Sequence, residues 1–519
     1  MSKRARRSGL LWVLLAITVG SSGVHAQNKN PNILLATPCP AQPATVPLTF
    51  SAKPGDTVGS AALPAEIGVR DGAGNPFTQN VLWTLAPSTG CSGSDQAIQC
   101  GSNIYSVAAP KGSVSPTTSA GRVQITTPLL ADTDVGKQGA FGTTVTQAPA
   151  GAGDPQCTWN YLLRVTEDGG GWGDPHLTTI DKKHYDFQSA GELTALRETG
   201  FEVQTRQAPV PTTSVPGVNE YTGLGVCVAI YTAVAARIGS NRVTFQPDAA
   251  AGPGASRDNP TPMQLRVNGQ PVTLGERGID LRAGGGGSGA LEGQIRPAGG
   301  GAIEITDVRG TQLVVTPTFW TSQQKWYLNI NVFQTSAIQG TMGITKDGWL
   351  PALPNGTSLG QRPESAQERY QQLYETFADA WRVTDATSLF DYAAGTNTAT
   401  FTLKEWPRFN PQSCALQGQT SVQPATQQVA EAACAAVTDA AQKADCIFDV
   451  MVTGETGFGQ SYVKMQQFRP NGSGFQPGLV AVQGVPPPPP PPWPWWLWIL
   501  ILIIVLIIIV LIVKRKKTP

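Results

Sequence analysis

Four consecutive residues, Gly173-Asp174-Pro175-His176, carry the most reactive chemistry in the chain. An Asp–Pro bond is the most acid-labile peptide linkage. The Asp carboxyl can attack its own carbonyl carbon while the tertiary amide nitrogen of proline leaves. The attack is productive only in a narrow geometry, which a folded turn can impose. A neighbouring imidazole, here His176, can donate the proton that the leaving nitrogen needs. The same four residues also read as an ordinary tight turn, and nothing local decides between the two.

Histidine is scarce, which limits every other chemistry. The chain holds three, His25, His176 and His184, and a nucleophilic triad would have to use one of the last two. There is no H-E-x-x-H pair, so a conventional enzyme is not expected. The two histidines with Asp174 or Asp181 imitate a zinc set. A histidine at a strand start is more often satisfied by backbone, so zinc is not expected.

The cysteines are Cys39, Cys91, Cys100, Cys157, Cys227, Cys414, Cys434 and Cys446. The number is even, no C-x-x-C occurs, and disulfides follow if the chain is exported. Cys91 with Cys100 would close a local loop, and Cys39 with Cys157 would tie the ends of one domain. Cys157 with Cys227 is an alternative that spacing leaves open.

The two ends predict export. Residues 1–26 combine a basic start, an apolar run over Leu10–Val19 and a small-residue site at Val24-His25-Ala26, the pattern of a signal peptide. Trp495 to Val513 is an unbroken apolar stretch of 19 residues, roughly 28 Å as a helix, or one hydrocarbon thickness. Trp493, Trp495, Trp496 and Trp498 crowd one end and Lys514, Arg515, Lys516 and Lys517 close the other. That asymmetry predicts a single-pass type I membrane protein with its body on the cell surface or in the periplasm and a short cytoplasmic tail, 514–519. A sorting signal removed after export is the other reading of the same tail. Seven prolines, Pro486–Pro492, lie in a Pro-rich linker, 475–494, and form a stiff spacer.

Formal net charge is +1. Setting aside the eight basic residues clustered at the two ends leaves 29 against 36 acidic ones, a net −7 for the body. Such a body does not seek phosphate backbones, so nucleic acid is not an expected partner.

The elements that must position Asp174 and His176 are mostly strands. With 57 Gly, 42 Pro and 14% charged residues, the 519-residue chain reads as several domains, mainly β. Over 30–165, short runs such as Glu66–Arg70, Val81–Leu85 and Arg122–Thr126 alternate with turns such as Asp71–Pro76, the spacing of a β-sandwich. Gly173–Pro175 is then a turn, Leu177–Ile180 a strand, Asp181–Lys183 a hairpin tip and His184–Gln188 the return strand. Further strands are expected at Phe201–Arg206, Val226–Ala236, Gln264–Val267, Ala302–Asp307, Gln312–Pro317 and Trp326–Gln334. Tyr370, Leu373, Tyr374, Phe377 and Trp381 recur at helical spacing and predict one helix face packed on that sandwich. A helical, cysteine-containing module follows over 410–465.

The string V-R-D-G-A-G-N-P-F from Val69, with S-A-G-R-V-Q-I-T-T from Ser119, resembles the bacterial immunoglobulin-like domains of surface adhesins. The string G-W-G-D-P-H-L-T-T-I-D-K-K-H-Y-D-F from Gly171 resembles the opening of a von Willebrand factor type D domain, here 170–390. Tyr374–Val383 resembles that family's closing element, and the run from Ala432 to Val450 resembles the helical module that often follows it. The resemblance implies a β-sandwich and adhesion or matrix binding to an extracellular or periplasmic protein or glycan. It also implies autocatalytic cleavage at Asp174-Pro175, as in relatives with the same G-D-P-H string. It further implies a calcium ion held by Asp181 and Asp347, with Asn355 substituting for a missing ligand. The departures are Thr345 where the family has Asn, and the absence of both loop cysteines.

Overall fold

The structure is a computed structural model. It describes residues 156–247, 263–285, 288–345 and 347–468, the strands between residues 32 and 147, and the connections 53–56 and 129–137. The signal peptide, the linker and the apolar stretch 495–513 lie outside the described residues. Among the described residues no helix is long and apolar enough to cross a membrane.

Sheets dominate, as the composition predicts. The N-terminal part forms two. One has six strands in the order Asn32–Leu34, Glu66–Arg70, Arg122–Thr126, Ser106–Ala108, Ala97–Cys100 and Cys91–Ser94. The other has five, with Gln156–Val165 paired to both Leu48–Ala52 and Gln138–Gln147. The backbone register pairs position 91 with position 100.

Only Thr166 separates Gln156–Val165 from the next strand, Glu167–Trp172. The guanidinium of Arg164, wholly buried, staples this junction. It donates to Ser336 Oγ, the Arg309 carbonyl and Thr311 Oγ1 and pairs with Glu198 at 3.1 Å.

The central part is two antiparallel sheets. The larger has eight strands, in the order His184–Asp186, His176–Thr178, Glu167–Trp172, Lys325–Thr335, Gln312–Trp320, Ala302–Asp307, Leu291–Gly299 and Ile279–Arg282. The smaller has six, in sequence order from Gly191–Glu198 to Gln270–Pro271. One core fills the space between them. It takes Leu193, Val203, Val234 and Ile238 from the smaller sheet and Ile305, Leu313, Leu328, Ile330 and Val332 from the larger. Leu373, Tyr374, Phe377 and Trp381 join it from the helical run Ala366–Trp381, whose middle, Gln371–Phe377, is wound as a π-helix. The expected helix face is therefore where the spacing put it.

The far face of the eight-stranded sheet is covered too. Along Lys325–Thr335, side chains alternate between faces. Leu328, Ile330 and Val332 enter the first core, while Tyr327 enters a second one with Trp172 and Trp320. The helices Gln427–Ala433, Ala440–Thr453 and Gly457–Gln467 close that second core with Ala430, Cys446, Val450, Phe458 and Tyr462. The expected helical module is thus a third layer on the sheet rather than an appendage. Cys434–Cys446 joins its first two helices, and Cys227–Cys414 ties the segment before strand Ala229–Ile238 to the segment after Trp406. The alternative of Cys157 with Cys227 is therefore corrected. All four cysteines beyond Pro175 are paired among themselves.

The candidate acid–imidazole site

The G-D-P-H turn lies at the meeting of the eight-stranded sheet and the helical module. Thr179–Lys183 turns the chain back, with Lys182 at φ 64° and Thr179 N–H donating to the Lys183 carbonyl. This turn is two residues wider than the expected tip. Ile180 N–H reaches away to the Met342 carbonyl, and Asp181 turns toward Thr345. The wider turn sets the register, with His176 opposite Asp186 and Thr178 opposite His184. The tighter tip would have put Gln188 opposite His176.

Gly173 has φ 59°, and a Cβ there would overlap Oδ2 of Asp449. Only glycine lets the helical module approach this closely. Gly173 N–H donates to Asn329 Oδ1 at 3.1 Å, and Asp174 N–H to Asp449 Oδ1 at 3.1 Å. The Pro175 carbonyl accepts from Phe187 N–H at 2.9 Å. The Asp174–Pro175 segment is held on both sides.

His176 stands among four carboxylates. Its Nδ1 lies 2.6 Å from Asp186 Oδ1 and 3.7 Å from Asp445 Oδ1. Its Nε2 lies 2.8 Å from Asp174 Oδ1 and 3.2 Å from Asp449 Oδ1. The expectation that backbone satisfies this ring is corrected: carboxylates do. His184 Nε2 reaches Asp445 Oδ1 at 3.0 Å, and its Nδ1 meets Thr178 Oγ1 at 3.2 Å. Trp172 Nε1–H donates to Asp445 Oδ2 at 2.9 Å, and Tyr462 O–H to Asp449 Oδ2 at 2.8 Å.

Charge and burial pull in opposite directions here. Burial alone would lower the pKa of His176. The negative charges of Asp445 and Asp186, then Asp174 and Asp449, outweigh it and hold the imidazole well above its ordinary value. Burial raises Asp174 despite His176. Burial and then the charge of Asp174 push Asp449 well above the ordinary carboxylate range. Asp445 goes the other way. Burial would raise it, but the charge of His176 and hydrogen bonds from His184 and Trp172 keep it low. Asp174 is clamped through Oδ1 alone, which also accepts from Gln188 Nε2 at 3.3 Å. Its Oδ2 is buried with no hydrogen-bond partner.

Asp174, Pro175 and His176 are therefore together, as expected. Asp186, Asp445, Asp449 and Tyr462 were not anticipated. Asp445 and Asp449 bracket Cys446 at helical i, i+4 spacing, which puts them on one face. That spacing was the available signal, and only docking shows which way the face points.

Of the expected calcium set, Asp181 and Asn355 are each held by hydrogen bonds of their own. Asp181 accepts from Thr179 Oγ1 at 2.7 Å and from Thr345 N–H and Oγ1 at 2.9 and 2.5 Å. Three donors satisfy this carboxylate without a cation, and Thr345, the residue that departs from the family pattern, supplies two of them. Asn355 Oδ1 accepts from Thr357 N–H in an exposed turn. One carboxylate already saturated by hydrogen bonds does not fit an ion that needs six to eight oxygens.

No protein-family model matches the chain. One solved structure, a "putative carbohydrate binding protein from Bacteroides ovatus ATCC 8483", aligns with 55% of this chain and 94% of its own at 9% identity and a TM-score of 0.14. A likeness at that TM-score carries no argument about fold or ligand.

Proposed function

We propose that this is a self-processing surface protein of the von Willebrand type D kind, cut by its own side chains at Asp174–Pro175 and retained as two non-covalent pieces. The observation that carries the reading is the carboxyl of Asp174, clamped through Oδ1 with Oδ2 buried and unpartnered. In the proposed reaction Oδ2 bonds to the Asp174 carbonyl carbon, closing a five-membered cyclic anhydride. The bond from that carbon to Pro175 N breaks, and the nitrogen takes the proton carried on Nε2 of His176, the ring atom that faces Asp174. Water then opens the anhydride, leaving a free Asp174 carboxyl terminus and a Pro175 amino terminus. The raised proton affinity of His176 suits it to the acid role.

Strand Glu167–Trp172 pairs with His176–Thr178 on one side and Lys325–Thr335 on the other, so the N-terminal piece would stay in the sheet after the cut. With the cysteines beyond Pro175 paired among themselves, no disulfide would cross the cut. The membrane anchor expected at 495–513 would keep the second piece, with the first as its displayed partner. Adhesion to a protein or glycan is the use that the sequence resemblance supplies.

The test is denaturing mass analysis of the full chain without reductant, held at pH 5.5 and at pH 7.5. Two masses meeting at Asp174/Pro175, forming faster at the lower pH, are expected. A single intact mass after days in both conditions rejects the reading.

A further inference from the structure

The arrangement around His176 goes beyond what a cut of one peptide bond needs. Four carboxylates, Asp174, Asp186, Asp445 and Asp449, surround two imidazoles in a largely buried site. Buried polar atoms of one kind are costly unless a partner balances them, and a metal ion is one such partner.

The geometry names the cation. We propose that Nδ1 of His176, Nε2 of His184 and Oδ1 of Asp445 hold a zinc ion. These three residues bring their ligand atoms within 4.8 Å of one another. Asp445 Oδ1 is 3.0 Å from His184 Nε2 and 3.7 Å from His176 Nδ1. Tetrahedral zinc with bonds of about 2.1 Å places its ligand atoms about 3.4 Å apart, midway between those distances. Two imidazole nitrogens with carboxylate oxygen suit zinc, whereas calcium and magnesium take oxygen.

Each ligand is also oriented through its other polar atom, as metal ligands are. Thr178 Oγ1 meets His184 Nδ1. Trp172 Nε1–H holds Asp445 Oδ2. His176 Nε2 faces Asp174 and Asp449, the carboxylate–histidine arrangement that turns Nδ1 toward the metal. The ion has a way in. A cavity of about 430 Å³ runs between the sheet and the helical module, lined by Trp172, Thr178, His184, Asn331 and Gln442 among others. The ligands come from the hairpin and from helix Ala440–Thr453, so zinc would lock the third layer onto the sheet.

The experiment uses the full chain in detergent, stripped with chelator and titrated with Zn²⁺ by calorimetry, with metal analysis after gel filtration. One zinc per chain is expected, with a rise in melting temperature that Ca²⁺ and Mg²⁺ do not reproduce. Co²⁺ in its place should give the visible absorption of a tetrahedral site. His184→Ala and Asp445→Asn should each weaken binding by about 100-fold or more, and Thr178→Val, which touches only the outer shell, by about 10-fold. Asp181→Asn should leave it unchanged. His184 is one-third exposed, so its variant keeps the fold available for measurement. Absence of bound zinc in the unaltered chain, or full retention in both ligand variants, overturns the site. Stoichiometry is read on the cut or the intact chain alike, so loss of cleavage and loss of zinc are separate results.

Discussion

Two buried ionic groups in this molecule, one in each of the two central sheets, differ in charge balance. In the smaller sheet, Glu192 and Arg206 pair one to one. Arg206 Nη2 and Nε lie 2.7 and 2.8 Å from Glu192 Oε1, and Tyr392 donates to Oε2. The guanidinium rests on the Phe401 ring at 3.6 Å and near Phe390 at 4.6 Å. One negative charge meets one positive charge, the remaining oxygen finds a hydroxyl, and aromatic faces take the flat surface of the cation. At His176 the acids exceed the bases, one carboxylate oxygen has no partner, and a cavity opens alongside. The first arrangement balances its charge within the pair. The second leaves a buried oxygen without a partner, on which the proposed cut rests, and a cluster of carboxylates and imidazoles, on which the proposed zinc site rests.

The comparison can be broken most directly at Asp174. Asp174→Ala should abolish the cut altogether, while Glu192→Gln should leave it intact in the folded fraction; mass analysis at pH 5.5 reads both. A cut that survives Asp174→Ala, or that disappears with Glu192→Gln in folded protein, would erase the functional distinction between the two groups.

The next effect is on stability. Arg206→Ala leaves Glu192 buried without its cation and should destabilise the fold by about 3–5 kcal/mol, seen as a lower denaturant midpoint. The cost should be the same with or without zinc, since the pair lies outside the proposed metal set.

A smaller effect is expected at the helical layer. Tyr462→Phe removes the donor to Asp449 Oδ2 and should cost about 1–3 kcal/mol. The loss should show as earlier hydrogen exchange in helices Ala440–Thr453 and Gly457–Gln467 than in the sheets. Uniform exchange across the molecule would instead mean that the third layer and the sheets unfold together.

The smallest effect belongs to an exposed pair that sharpens the contrast. Burial would raise Asp379, but hydrogen bonds from Arg382 and Lys404 hold it below its ordinary value of 3.8. A carboxylate whose folded pKa is depressed adds stability that is present above the unfolded value and lost as pH falls through the folded one. Its side chain is 41% exposed, so solvent screening keeps the contribution below about 1 kcal/mol. Asp379→Asn should therefore lower the melting temperature slightly at neutral pH, leave it unchanged below the folded pKa, and so flatten the acid limb of the profile.

Much of the scaffold could be read from local pattern. Strand Ala302–Asp307 matches the expected bounds, and the buried face of Ala366–Trp381 is the one its apolar spacing marked. Strand Glu167–Trp172 was not legible. Its glycines hide the alternation that marks a strand, and they are there because neighbours press close: a Cβ on Gly171 would overlap the Tyr231 hydroxyl. The hairpin was legible, but its register was not, because Ile180 and Asp181 are drawn to Met342 and Thr345 from a distant segment.

What the sequence determined by itself is the reactive unit: an Asp–Pro bond beside an imidazole, at the head of a hairpin, in a chain with the marks of export. Those properties are local, set by covalent chemistry and by periods of two and 3.6 residues. Only the tertiary structure decided what that imidazole faces. Asp449 lies 273 residues from His176, on a helix whose position depends on Tyr327, Trp320 and Phe458 packing on the outer face of the sheet. Helical periodicity places Asp445 and Asp449 on one face, but the direction of that face is set by long-range burial of apolar surface, which no local spacing encodes.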